Sequence, residues 1–98
     1  MTMHADYDSR ADALEIVLRK VERFDYEEPI EDGLCHVAIT EGLPVYVELL
    51  SPAKHLDLLS AAAERYDLNA GELLAAAQAA LAAPDHLVEV SIGKSLVA

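Results

Sequence analysis

Positive charge is scarce in this chain. Seven lysines and arginines face 18 aspartates and glutamates, a formal net charge of −11 over 98 residues. A field of that sign repels phosphate backbones and anionic lipid, whereas nucleic-acid binding needs a basic patch. The one basic cluster, Arg19, Lys20 and Arg23, is hemmed in by Glu22, Asp25, Glu27 and Glu28. Direct binding to nucleic acid or to a membrane is therefore not expected. A cationic partner would be drawn in and its approach accelerated; the same acidity also serves plain solubility.

Cysteine is nearly missing. Cys35 stands alone, which excludes an internal disulfide and gives no reason to expect an oxidising compartment. Tryptophan is absent, and one Phe and four Tyr are the whole aromatic stock, so any core has to be aliphatic. The longest apolar stretch, 73–83, is broken by Gln78 and is too short to span a bilayer. The first eight residues are polar and acidic, unlike a secretory signal, so the expected compartment is the cytoplasm. A glycine-rich phosphate loop, a dinucleotide fingerprint and a Ser/His/Asp set are all lacking, and no cofactor is expected.

What is present is aliphatic residue in quantity, 53% hydrophobic in all. That suffices for a single domain over residues 1–98, whereas two halves would be too small for independent cores. Period-two alternation runs through 12–20, with Leu14, Ile16 and Leu18 opposite Glu15, Val17 and Arg19, and predicts a strand. Residues 21–30 carry Phe24, Tyr26 and Ile30 at even spacing, and Pro29 restricts that strand to an edge or a turn. Asp32-Gly33 reads as a turn. Alternation resumes at 34–40, with Cys35, Val37 and Ile39 inward and His36 outward. Glu41-Gly42 makes the next turn. Leu43, Val45, Val47 and Leu49 then oppose Tyr46 and Glu48.

After residue 50 the period changes. Ser51 as N-cap and Pro52 at the first helical position predict a helix to about Tyr66. Asn69 with Glu72 forms a capping-box pattern, and Leu68 can staple against Leu73, which predicts a second helix to about Ala83. Residues 87–92 alternate again and predict a C-terminal strand, followed by a frayed tail over 93–98. The fold class is α+β: an antiparallel β-meander of three or four strands (7–50) packed by two consecutive helices (52–83), with a C-terminal strand (87–92). Where that last strand pairs, in its own sheet or a neighbour's, stays open.

The stretch Tyr7-Asp8-Ser9-Arg10-Ala11-Asp12-Ala13-Leu14-Glu15-Ile16-Val17-Leu18, with Gly42-Leu43-Pro44-Val45-Tyr46-Val47-Glu48-Leu49-Leu50-Ser51-Pro52-Ala53, resembles the bacterial domain of unknown function family 2283 over residues 7–53. Arg10 and Glu15 stand where that family usually has an acid and often an aromatic residue. The resemblance implies a small β-meander domain and, since some members accompany small toxin-like proteins, an antitoxin-type partner role.

Candidate sites are few. Asp8 and Asp12 read either as paired carboxylates or as an Asx-type turn in which Asp8 accepts backbone N–H groups; the turn is the favoured reading. His4, His36, His55 and His86 show no ligand spacing, so no metal site is expected. Cys35 alternates with core positions and reads as a small buried hydrophobe, not a nucleophile. The acidic run Glu22, Asp25, Glu27, Glu28, Glu31 and Asp32 is either a docking surface for a basic protein or a solvated edge. The alanine-rich second helix is apolar almost all round, more than one small sheet can cover, and predicts a homodimer. The expected function is a non-enzymatic interaction module, a homodimer binding a basic protein partner; the alternative is a small-ligand binder or enzyme using carboxylates near Asp8, Asp12 and Glu48.

Overall fold

The structure is a computed structural model that describes residues 2–31 and 33–91. Asp32, one half of the expected 32–33 turn, and residues 92–98, which hold the end of the expected last strand and the tail, lie outside the described residues. The strands are β1 (Thr2–Asp8), β2 (Ala13–Val17), β3 (Tyr26–Ile30), β4 (Cys35–Thr40), β5 (Leu43–Leu50) and β6 (Val88–Ser91). The helices are α1 (Asp57–Tyr66) and α2 (Ala70–Ala82).

All six strands form one sheet in the order β3-β4-β5-β2-β1-β6, with every neighbouring pair antiparallel. A meander holds over β3-β4-β5, and β1-β2 is a hairpin joined to it through the β2–β5 pairing. The last strand does return to its own sheet, as the partner of β1. β1 itself adds a strand that the sequence reading left unmarked. Met3 and Ala5 point inward, and Thr2 and Asp6 outward.

Both helices cover one face. α2 lies over β1, β2 and β6, and α1 over β3, β4 and β5. Between the layers sit Leu14, Ile16, Val37, Ile39, Val47 and Leu49 from the strands, and Leu59 and Leu73 from the helices, all at most 1% exposed. Ala62, Ala76, Ala77 and Ala80 are fully buried. Their small side chains let the helix backbones come close to the sheet. Cys35 belongs to this core, and burial pushes its thiol up to about 11, so it stays a protonated hydrophobe at neutral pH.

The caps divide the helical region differently from the expectation at Ser51. Ser51 has φ 48° and makes no side-chain cap bond, and Pro52 opens only a single 3-10 turn, Pro52–Lys54. The α-helix proper begins at Asp57, again without a side-chain cap. A left-handed Ser51 aims its backbone away from the geometry in which its hydroxyl can reach the N–H two or three residues on. At α2 the N-cap is where expected: Asn69 Oδ1 accepts from the Glu72 N–H at 3.0 Å, the reciprocal bond of a capping box is not made among the described residues, and Leu68 packs against the core that holds Leu73.

Candidate functional site

No helix covers the other face of the sheet among the described residues; the 18–25 loop covers part of it, burying Ala38, and strand register decides what the rest displays. Asp6 pairs with Glu15, Glu15 with Glu48, and Glu48 with His36. Four polar side chains therefore stand in one row across β1, β2, β5 and β4. Cross-strand neighbours of this kind hold their Cβ atoms about 4.5–5.5 Å apart, and like charges so placed repel. Burial, then Glu48, then Asp6 raise the pKa of the Glu15 carboxyl above its usual value. His36 ends the row with its Nδ1 buried and without a hydrogen-bond partner among the described residues.

A loop over residues 18–25 borders this row. It is pinned by backbone bonds from Arg19 N to Val45 O at 3.0 Å and from Asp25 N to Ile39 O at 2.8 Å. Phe24 packs edge-on against Tyr46, ring centroids 5.3 Å apart. The Tyr46 hydroxyl donates to Glu27 Oε2 at 3.0 Å; burial first, then that bond, holds its pKa far above the ordinary range. Loop and sheet enclose a hollow of about 360 Å³ whose wall includes Glu15, Tyr46, Phe24, Arg19 and Arg23. Among the described residues Arg19, Lys20 and Arg23 form no ion pair.

A second depression, an apolar groove of about 320 Å³, opens at one end of the sheet between Met3, Leu18 and Leu43 on one side and Tyr66, Leu68 and Leu73 on the other. Tyr66 is held by a hydrogen bond to Glu28, and Arg65 lies 3.7 Å from the same carboxylate. Burial and that carboxylate push the Tyr66 hydroxyl up to about 12, so it remains a neutral donor that ties α1 to β3.

The carboxylates of the ligand-binding alternative are not brought together. Asp8 and Asp12 belong to the β1–β2 turn, whereas Glu48 lies mid-strand on β5, and none of the three lines either depression. Asp8 instead makes the Asx-type turn: its Oδ1 accepts from Arg10 N at 2.9 Å and Ala11 N at 3.1 Å. Asp12 accepts from the Tyr7 hydroxyl at 2.7 Å. Replacing Asp8 by Ala removes the side-chain acceptor of both backbone N–H groups and is expected to lower stability by about 1 kcal/mol, as losing a helix cap does. Thermal melting of Asp8→Ala beside Asp8→Asn checks this, because Asn retains the acceptor and should recover most of the loss.

One tie in this corner carries no local sequence signal. Asp85, between α2 and β6, accepts from Ser9 N at 2.9 Å and Ser9 Oγ at 2.6 Å, while its own N–H reaches Tyr7 O at 2.8 Å. Those bonds from Ser9 lower its pKa. The partners are 76 residues apart, a distance no local pattern spans.

Of the histidines, His4 meets Glu89 at 3.2 Å and His55 Nδ1 lies 3.1 Å from Ser51 O. Among the described residues no group of three or more His, Cys, Asp or Glu side chains is placed to hold a metal ion. None of their helices is long and apolar enough to cross a membrane. Compared with known protein families, curated proteins and solved structures, the chain finds no match in any of the three.

Proposed function

We propose that the chain is a non-enzymatic interaction module whose sheet face opposite the helices receives a basic segment of a partner protein. The observation that carries this is the in-register row of Asp6, Glu15 and Glu48 on that face. Carboxylates held opposite one another repel, and burial first, then Glu48 and Asp6, raise the pKa of Glu15. A Lys or Arg side chain laid along the row relieves the repulsion, so the cost held in the free protein is returned on binding. The net charge of −11 adds long-range attraction for such a partner. The proposal extends to an antitoxin-type role toward a small basic protein, in the cytoplasm, where a lone thiol such as Cys35 stays reduced.

The test joins stability to binding. In Glu15→Gln the repulsion is gone, so the variant is expected to melt above the parent at neutral pH. The sign follows from the raised pKa. Ionised Glu15 destabilises the fold above its folded-state pKa, and this loss fades as pH drops through that value toward the usual 4.5. The advantage of Glu15→Gln should therefore close on acidification. In the same samples an oligo-arginine peptide is titrated by calorimetry. Glu15→Gln/Glu48→Gln is expected to bind about tenfold more weakly, a change of about 1.4 kcal/mol. Binding by the parent should weaken as salt shortens the screening length. Glu64→Gln, on the exposed side of α1, serves as the control. Equal affinity of the parent and the double variant rejects this face as the docking surface.

A further inference from the structure

We infer that the chain forms a closed two-fold dimer in which β6 pairs antiparallel with β6 of a second copy, with the outer flanks of the two α2 helices brought alongside. The sheet ends in two edges, β3 and β6. An edge strand offers unpaired N–H and C=O groups to any chain that can lie beside it, and proteins block such edges with proline and charge.

β3 is blocked in both ways. Its five residues include Glu27, Glu28 and Pro29, and Pro29 has no N–H to give. β6 is left open. It contains no proline, its one charge, Glu89, lies against His4, and among the described residues no strand pairs with its outer side.

Charge marks the same flank independently. The chain has 18 acidic and 7 basic residues, yet none falls within 73–84, which takes in most of α2. That helix lies over β1, β2 and β6, at the β6 end of the sheet. Ala75, Gln78 and Ala82 are exposed, Leu74 and Leu81 half-buried. Leu87, next to β6, is 66% exposed, the most exposed large hydrophobic side chain among the described residues. Two molecules that each carry −11 repel through most of their surfaces. Along α2 they meet without opposing like charges, the one acidic side chain of β6, Glu89, is held against His4, and apolar area is removed from water when they do.

The contrast between the edges also selects the symmetry. Pairing β3 of one copy with β6 of the next would be head-to-tail and would grow without end; Pro29 and the glutamates of β3 oppose it. Pairing β6 with β6 is self-complementary and stops at two. An antiparallel join of this kind has its axis perpendicular to the sheet, so both carboxylate rows face the same side. The inference goes beyond the docking of a basic segment, which one copy alone can perform.

Mass in solution by light scattering, with hydrogen exchange at the β6 amides, tests it. The parent should weigh twice 10.6 kDa at about 100 µM, well above a micromolar dissociation constant, and the amides of Val88–Ser91 should exchange more slowly as concentration rises. Leu81→Glu/Leu87→Glu, folded by circular dichroism, should weigh 10.6 kDa and lose that concentration dependence. It should still bind oligo-arginine, whereas Glu15→Gln/Glu48→Gln should remain dimeric. A monomeric parent overturns the inference, as does a dimer whose β6 amides exchange at the same rate at every concentration. Should the double variant unfold, exchange in the parent decides alone.

Discussion

Leu73→Ala is expected to melt at least about 10 °C below the parent chain. Leu73 is fully buried at the start of α2, where the helix leaves its Asn69 cap and meets the sheet. Truncating a buried leucine costs about 2–5 kcal/mol, the transfer term plus the cavity left behind. In a domain of this size each kcal/mol shifts the midpoint by about 4–8 °C. Leu74 is the internal comparison, since it is half-buried and leaves less of a cavity. Melting curves of the two alanine variants, followed by circular dichroism, measure the difference. Equal losses would mean that α2 does not seat on the sheet through Leu73.

The second large effect separates two adjacent alanines. Ala76→Leu is expected to destabilise by about 1–3 kcal/mol, because the added carbons must enter a filled core. Ala75→Leu should change stability by only a few tenths of a kcal/mol, since leucine is nearly as good a helix former as alanine. Ala76 is fully buried and Ala75 exposed. Denaturant unfolding of both variants provides the comparison, with midpoints read at unchanged slope. A tolerated leucine at 76 would show a gap between helix and sheet where the structure has none.

Those alanines also mark where reading the sequence stops. Residues 75–77 are identical in type, so hydropathy cannot rank them, and only the rotation of α2 against β1 and β2 does. Elsewhere local pattern was enough. The alternation of Leu14 and Ile16 against Glu15, and of Val45, Val47 and Leu49 against Tyr46 and Glu48, is the inside and outside of β2 and β5. Asn69 with Glu72 placed the start of α2, and Asp8 was legible as a turn because its acceptor reaches N–H groups two and three residues on. β1 was harder to see. Its inward positions are filled by Met3 and Ala5 in place of branched residues, and such a stretch has little strand propensity of its own.

The candidate site was half legible. Alternation turned Glu15 and Glu48 outward from the same arithmetic that turned Leu14 and Leu49 inward. That they face each other depends on β2 pairing with β5, across the whole of β3 and β4 in sequence. Asp6 joins them only because β1 lies on the far side of β2.

By itself the sequence determined β2 to β6, though it extended strand through 18–25, which form a loop. It also determined the cap of α2, the Asp8 turn, the sign of the charge and, apart from the start of α1, the helices, because each is set by residues within about four positions of one another. Tertiary structure alone decided strand order, register, which alanines are buried, which edge is left open and which carboxylates stand in a row. Those depend on closing loops of tens of residues and on the roof that two helices make over one face, and neither is recorded in any short stretch of chain.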